Sequence, residues 1–164
     1  MKEKTLYVTR GAAVAALYVL LTFISSLFGL DKGVIQFRLS EMLCILPIFL
    51  PEAVPGLFIG CIVANLMTSA VIWDVIFGST ATLIGAIGAR LFRKLPKKLI
   101  WLATLPTILS NAIIVPLVLK FAYGVPDLIP FMVLTVGIGE IVTAGILGML
   151  LYFSLVKNKF LNNL

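Results

Sequence analysis

The sequence has 164 residues, of which 61% are hydrophobic and 12% are charged, and its mean hydropathy is +1.15. That balance excludes an ordinary soluble globular protein and is typical of a membrane protein. The sequence contains no histidine, which excludes imidazole metal sites and histidine-dependent nucleophilic catalysis.

Charges and prolines divide the chain into six apolar segments. About twenty apolar residues cross a hydrocarbon core of roughly 30 Å. The second segment reaches only ~22 Å as an α-helix, and the sixth is longer than a bilayer requires. The first follows a basic flank without a convincing cleavage site, so we expect it to be retained. The sequence therefore predicts an all-α, multi-pass membrane protein with one domain over 1–164 and transmembrane helices at 11–30, 36–50, 53–72, 73–92, 99–121 and 129–156.

Lysine and arginine residues predict the orientation. If both termini are cytoplasmic, only Lys32, Arg38 and Lys120 lie on the outer side. The formal net charge of +6 is then explained by basic loops at a membrane surface, and we expect no nucleic-acid binding. The cytoplasmic side holds the other ten of the thirteen basic residues, Lys2, Lys4, Arg10, Arg90, Arg93, Lys94, Lys97, Lys98, Lys157 and Lys159.

Several kinds of chemistry have no sequence support. Cys44 and Cys61 both lie in apolar segments, where a thiol usually behaves as a small hydrophobic group. We therefore expect no disulfide, no metal and no cofactor. The sequence contains no GxxxxGK[ST] phosphate loop, so we expect no ATP hydrolysis, and energy for any uphill transport would have to come from elsewhere. Without histidine, and with every lysine at the periphery of the apolar segments, the sequence offers no clear pair of nucleophile and base, so we also expect no enzymatic activity.

A few polar residues interrupt the apolar segments, and each is costly in lipid, by roughly 2.5–3.5 kcal/mol for an ionised group. Counted from the outer end of each segment at 1.5 Å per residue, these polar residues lie between the rim and a depth of ~15 Å. In the segment 36–50, Glu41 lies within ~8 Å of the outer end. All therefore fall in the outer half, which favours a pocket open to the outside over a channel. The stretch 31–37 is a plausible lid. These residues are Arg38, Glu41, Asn65, Asp74, Asn111 and Glu140.

The charged candidates each have a structural alternative. Arg38 and Glu41 are three residues apart and could simply neutralise each other. Asp74 could cap the fourth helix. Glu140 has no basic residue near it in sequence, so it is protonated, paired across the bundle, or facing a cationic ligand, and we favour a functional role.

The uncharged candidates also have two interpretations. Asn65 and Asn111 could hydrogen-bond neighbouring helices or contact a ligand. Trp73 and Phe77 are four residues apart and share a helix face, which suits an interfacial aromatic belt or a stacking platform for a flat ring.

Small residues at four-residue spacing predict close helix packing. Gly11 with Ala15 and Ala12 with Ala16 form such a strip on the first helix. Strips of this kind either pack within the bundle or dock another membrane helix. We expect docking to suit the first helix best, because a terminal helix has a free side. Further strips are Gly56 with Gly60, and Ala81, Gly85 and Ala89.

Two stretches, VIQFRLSEMLCILPIFLPEAVPGLFIGCIVANL and WDVIFGSTATLIGA, resemble the queuosine-precursor transporter family QueT. Its members are substrate-binding S components of energy-coupling-factor (ECF) transporters. The resemblance implies a six-helix fold in the bacterial plasma membrane, a partner membrane subunit and two ATPase subunits. It also implies a substrate, 7-aminomethyl-7-deazaguanine, the pre-queuosine-1 base.

The residues suit such a ligand. A carboxylate can accept adjacent N–H donors of a guanine-like edge, and a second carboxylate can bind the aminomethyl cation. Glu41 and Glu140 could fill these roles in either order, with Arg38 contacting the ring oxygen or holding Glu41. The alternatives are an S component for another vitamin or nucleobase-like solute and, with less support, a self-sufficient secondary carrier.

Overall fold

The computed structural model describes residues 2–30, 36–68 and 70–157, and these residues contain helices and no β-strand. The main helices are α1 (Lys2–Leu27), α2 (Leu39–Ile48), α3 (Ala53–Met67), α4 (Ile72–Leu91), α5 (Lys97–Phe121) and α6 (Ile129–Lys157). Four of them, α1, α4, α5 and α6, are long and apolar enough to cross a membrane, whereas α2 and α3 are shorter. The all-helical class and the membrane character predicted from the sequence are therefore confirmed.

Helix α2 is a 3₁₀ helix, and residues 36–38 before it are not helical, with Arg38 in an extended conformation. An extended residue advances ~3.3 Å, compared with 1.5 Å in an α-helix. Glu41 contacts Tyr18, which is nine residues and therefore ~14 Å from the end of α1. The predicted distance of ~8 Å counted residues 36–41 as an α-helix, and Glu41 lies further from the end of α1 than that count gives.

Helices α5 and α6 are irregular. Helix α5 begins as a 3₁₀ helix, Lys97–Thr104, and continues as an α-helix with Pro116 in its interior. Helix α6 contains a π-helical stretch, Ile141–Leu147, between two α-helical parts. Such wide turns often occur at functional sites. Here the π-helical stretch begins immediately after Glu140.

Glycines allow three pairs of backbones to approach closely. A Cβ atom added to Gly56 of α3 would lie 2.5 Å from the carbonyl oxygen of Gly11 on α1. One added to Gly85 of α4 would lie 2.5 Å from the Thr107 hydroxyl of α5, and one on Gly139 would collide with the Gln36 carbonyl. The last contact brings the segment before α2 directly against α6, beside Glu140.

Charged groups connect the helices at both ends of the bundle. We call the end where α4 begins the Asp74 end and the end where α4 finishes the Arg90 end. At the Arg90 end, Arg90 donates hydrogen bonds to the carbonyl oxygens of Pro47 and Ile48 at 3.0 and 3.2 Å. These carbonyl groups in the last turn of α2 thereby gain a hydrogen-bond donor. Arg10 pairs with the buried Glu52 at 3.4 Å. These contacts fix α2 against α4 and leave its first residues in the middle of the bundle.

Candidate ligand-binding site

Glu41 lies at the centre of the bundle, with 1% of its surface exposed. The Tyr18 hydroxyl donates to its Oε1 at 2.5 Å, and Cys44 Sγ and Asn111 Nδ2 donate to its Oε2 at 3.3 Å each. A carboxylate has about four acceptor positions, so three are filled by this chain. Side chains from α1, α2 and α5 thus fix the orientation of Glu41.

Glu140 completes this central cluster, which we define as Tyr18, Glu41, Asn111 and Glu140. Asn111, which donates to Glu41, also lies close to Glu140, and the two carboxyl groups are close enough to interact electrostatically. Glu140 is 6% exposed, yet its Oε2 has no hydrogen-bond partner among the described residues. An unsatisfied buried acceptor costs ~1–3 kcal/mol, and more when it is charged. Glu140 therefore presents an acceptor suited to a donor from outside the chain.

Arg38 does not neutralise Glu41, as one interpretation of the sequence had it. Its Nη2 lies 3.3 Å from Asp74 Oδ2, and both side chains are largely buried. Within residues 2–30, 36–68 and 70–157, neither Glu41 nor Glu140 forms a salt bridge. The central cluster consequently holds two acidic groups without a directly paired cation, which favours a positively charged ligand.

A second polar group, which we call the Asp74 layer, lies nearer the Asp74 end and consists of Arg38, Asn65, Asp74 and Tyr123. Asp74 Oδ2 accepts from Arg38 and, at 3.2 Å, from the Tyr123 hydroxyl, while Asn65 donates to the Asp74 carbonyl at 3.3 Å. Asp74 does not cap α4, whose N-cap residue Val71 has no side-chain cap. Its role is instead to join the α2, α4 and α5 regions.

The Tyr123 hydroxyl remains a donor at neutral pH. Partial burial and, secondarily, the negative charge of Asp74 raise the pKa of Tyr123 above its usual value. The hydroxyl also accepts the backbone N–H of Val71 at 3.3 Å. It can therefore hold the start of α4 at two points.

Trp73 and Phe77 are exposed at the surface of the bundle, whereas Glu41 and Glu140 are buried in it. Their rings stack at 6.0 Å with an interplanar angle of 21°, and they are 54% and 45% exposed. They line an apolar groove of about 570 Å³ on the outside of the bundle, together with residues of α5. This placement suits the interfacial belt better than stacking against a ligand at the central cluster.

The small-residue strip of α1 is divided between two faces. Gly11 and Ala15 pack against Gly56 and Gly60 of α3, whereas Ala12 and Ala16 are exposed. Any docking surface on α1 is therefore reduced to the alanine pair. Residues 31–35 of the predicted lid lie outside the described residues.

Sequence reasoning missed Tyr18, Cys44 and Tyr123. The signal for Tyr18 was present, since Tyr18, Thr22 and Ser25 repeat polar groups along one face of α1, and all three are buried. Tyr123 carried no such signal. It lies in a connection between helices, and its contact with Asp74 joins residues 49 positions apart.

The model of a protein family described as QueT transporter matches residues 8–157 of this chain. The chain is also similar to a curated protein named Queuosine precursor transporter QueT, from Lactococcus lactis subsp. cremoris (strain MG1363), with 37% identity over 101 residues. That match covers 61% of this chain and 59% of the relative, so the aligned part spans less than two thirds of the relative's length. No solved structure matches the chain.

Proposed function

Because the chain belongs to the QueT transporter family, we propose that it is the membrane-embedded capture subunit, or S component, of an ECF-type importer. The proposed ligand is 7-aminomethyl-7-deazaguanine, bound from the Asp74 end. The name of the curated relative, a queuosine precursor transporter, supports this class of ligand. The plasma membrane of a bacterium is the corresponding location.

The main observation behind this proposal is that Oε2 of the buried Glu140 has no hydrogen-bond partner among the described residues. An aminomethyl cation supplies both the hydrogen-bond donor and the positive charge that this carboxylate lacks. Glu41 has about one acceptor position left after Tyr18, Cys44 and Asn111 are counted. We therefore assign the cation to Glu140 and an N–H of the base edge to Glu41.

Transport would depend on partner polypeptides. The resemblance to ECF S components implies two ATPase subunits and one membrane subunit, and we propose these as partners. The absence of a phosphate loop from the sequence agrees with ATP hydrolysis by other subunits. The exposed Ala12 and Ala16 of α1 offer a smooth surface for the helix of the membrane subunit. Capture by this subunit and energy supply by the others are then separate tasks.

Isothermal titration calorimetry on the detergent-solubilised protein tests the assignment. We expect Glu140→Gln to weaken binding of the base at least about tenfold, because one charge-assisted hydrogen bond contributes ~1.5–3 kcal/mol. Glu41→Gln should also weaken binding. Glu3→Gln is the matched control, since Glu3 is exposed near the start of α1, and it should bind like the parent.

Two outcomes would contradict the proposal. Parent-like affinity in both Glu41→Gln and Glu140→Gln would remove the central cluster as the site. Tighter binding of riboflavin, biotin or thiamine than of the deazaguanine would keep the capture role and replace the ligand.

A further inference from the structure

The Asp74 layer lies between the central cluster and the Asp74 end of the bundle. Thr82 of α4 is 3.5 Å from the Tyr18 hydroxyl in the central cluster. Asp74 precedes Thr82 by eight residues on the same helix and so lies ~12 Å closer to that end. The Asp74 layer therefore lies nearer the Asp74 end than the central cluster does, on the side from which the proposed ligand enters.

The connection between α5 and α6 is held in a defined turn. Lys120 Nζ donates to the carbonyls of Val125, Pro126 and Asp127 at 3.1–3.2 Å. Gly124 has a φ of +67°, a left-handed conformation that favours glycine. Tyr123 immediately precedes this turn, so its position is set by the fold of the connection.

Tyr123 joins this connection to the start of α4. Its hydroxyl donates to Asp74 Oδ2 at 3.2 Å and accepts from Val71 N–H at 3.3 Å. The same Asp74 oxygen holds Arg38, which precedes α2. Tyr123 is 44% exposed, whereas Asp74 is 4% exposed. The tyrosine is thus the most accessible member of a contact that spans three segments.

We propose that Tyr123 is a latch that controls passage of the ligand between the Asp74 end and the central cluster. The inference rests on the proposed function for the identity and direction of the ligand. Opening breaks the hydrogen bonds of Tyr123 to Asp74 and Val71, and the connection then moves away from α4. Tyr123 does not contact the ligand and acts only on the rate of its passage.

This role predicts a specific kinetic pattern. The proposal requires the latch to be closed in the bound protein as it is in the free protein, so that its hydrogen bonds stabilise both states equally against the open state. Removing the hydroxyl should raise the association and dissociation rate constants by the same factor, about three- to tenfold for hydrogen bonds that are partly exposed to solvent. The dissociation constant should not change.

Stopped-flow fluorescence with the deazaguanine base tests this pattern on the purified protein. Tyr123→Phe keeps the ring and removes the hydroxyl, and Tyr7→Phe is the matched control on an exposed tyrosine of α1. We expect both rate constants to rise in Tyr123→Phe alone. Unchanged rates would overturn the latch, and so would a faster dissociation with unchanged association, which would make Tyr123 a ligand contact.

Hydrogen exchange without ligand separates the latch from the proposed function. Amides in the first turns of α4, beyond Val71 itself, should exchange about three- to tenfold faster in Tyr123→Phe than in the parent. Unchanged exchange overturns the latch whether or not the base binds. Absence of binding to the parent, with faster exchange in the variant, would contradict the proposed ligand and support the latch.

Discussion

Substitution of Gly56 tests the contact between α1 and α3. The Cβ atom of Gly56→Ala would lie 2.5 Å from the Gly11 carbonyl oxygen and 3.2 Å from Val14 Cβ. The nearest atom is backbone, so a rotamer change cannot relieve the overlap, and one helix has to shift. Gly137→Ala of α6 is the matched control, because its Cβ would meet only Ala112 Cβ at an ordinary 3.8 Å.

The two substitutions should change stability in opposite directions. Overpacking costs about 1–3 kcal/mol, whereas replacing a helical glycine by alanine gains ~0.5–1 kcal/mol. The net loss for Gly56→Ala is therefore up to about 2.5 kcal/mol. With 2–4 °C for each kcal/mol, Tm should fall by up to about 10 °C in Gly56→Ala and rise by about 1–4 °C in Gly137→Ala.

Thermal unfolding of the detergent-solubilised proteins, followed by intrinsic fluorescence or by size-exclusion chromatography after heating, measures both shifts under identical conditions. A rise in Tm for Gly56→Ala similar to that of Gly137→Ala would refute the close approach of α1 and α3. It would also return Gly11 and Ala15 to the surface available for docking.

Two further substitutions probe α1. Tyr18→Phe removes the hydroxyl that donates to Glu41. The loss of ~1.5–3 kcal/mol should lower Tm by about 3–12 °C in thermal unfolding. An unchanged Tm would show that this hydrogen bond contributes nothing to stability. Ala12→Leu or Ala16→Leu should abolish uptake of the base into cells, while calorimetry should show parent-like affinity. Ala13→Leu is the control at another exposed position of α1. Loss of affinity in Ala12→Leu or Ala16→Leu would indicate packing inside the bundle instead of docking.

The sequence was sufficient to locate the starts of two long helices. Long apolar segments bounded by charges and prolines predict where a helix crosses the bilayer, and α4 and α6 begin within one residue of their predicted starts. The irregular segments were not predictable in this way. Nothing in the apolar pattern of 36–50 distinguishes an α-helix from non-helical residues followed by a 3₁₀ helix, and this difference affects the depth of Glu41.

The candidate site was predicted as a set of residues but not as an arrangement. The high cost of polar groups in lipid singled out Glu41, Asn111 and Glu140, which the fold brings together. The spacing along the chain suggested Glu41 as the protein partner of Arg38. Arg38 pairs with Asp74 instead, because the segment before α2 meets the start of α4, and spacing along the chain does not predict that contact.

The most direct test of the account is a cycle that combines Glu140→Gln with a change in the ligand. Calorimetry would compare 7-aminomethyl-7-deazaguanine with its uncharged 7-methyl analogue on the parent and on Glu140→Gln. We predict that the parent prefers the aminomethyl base by at least about tenfold and that the variant loses this preference, because the carboxylate that recognises the cation is gone. An equal preference in parent and variant would contradict the claim that Glu140 binds the cation.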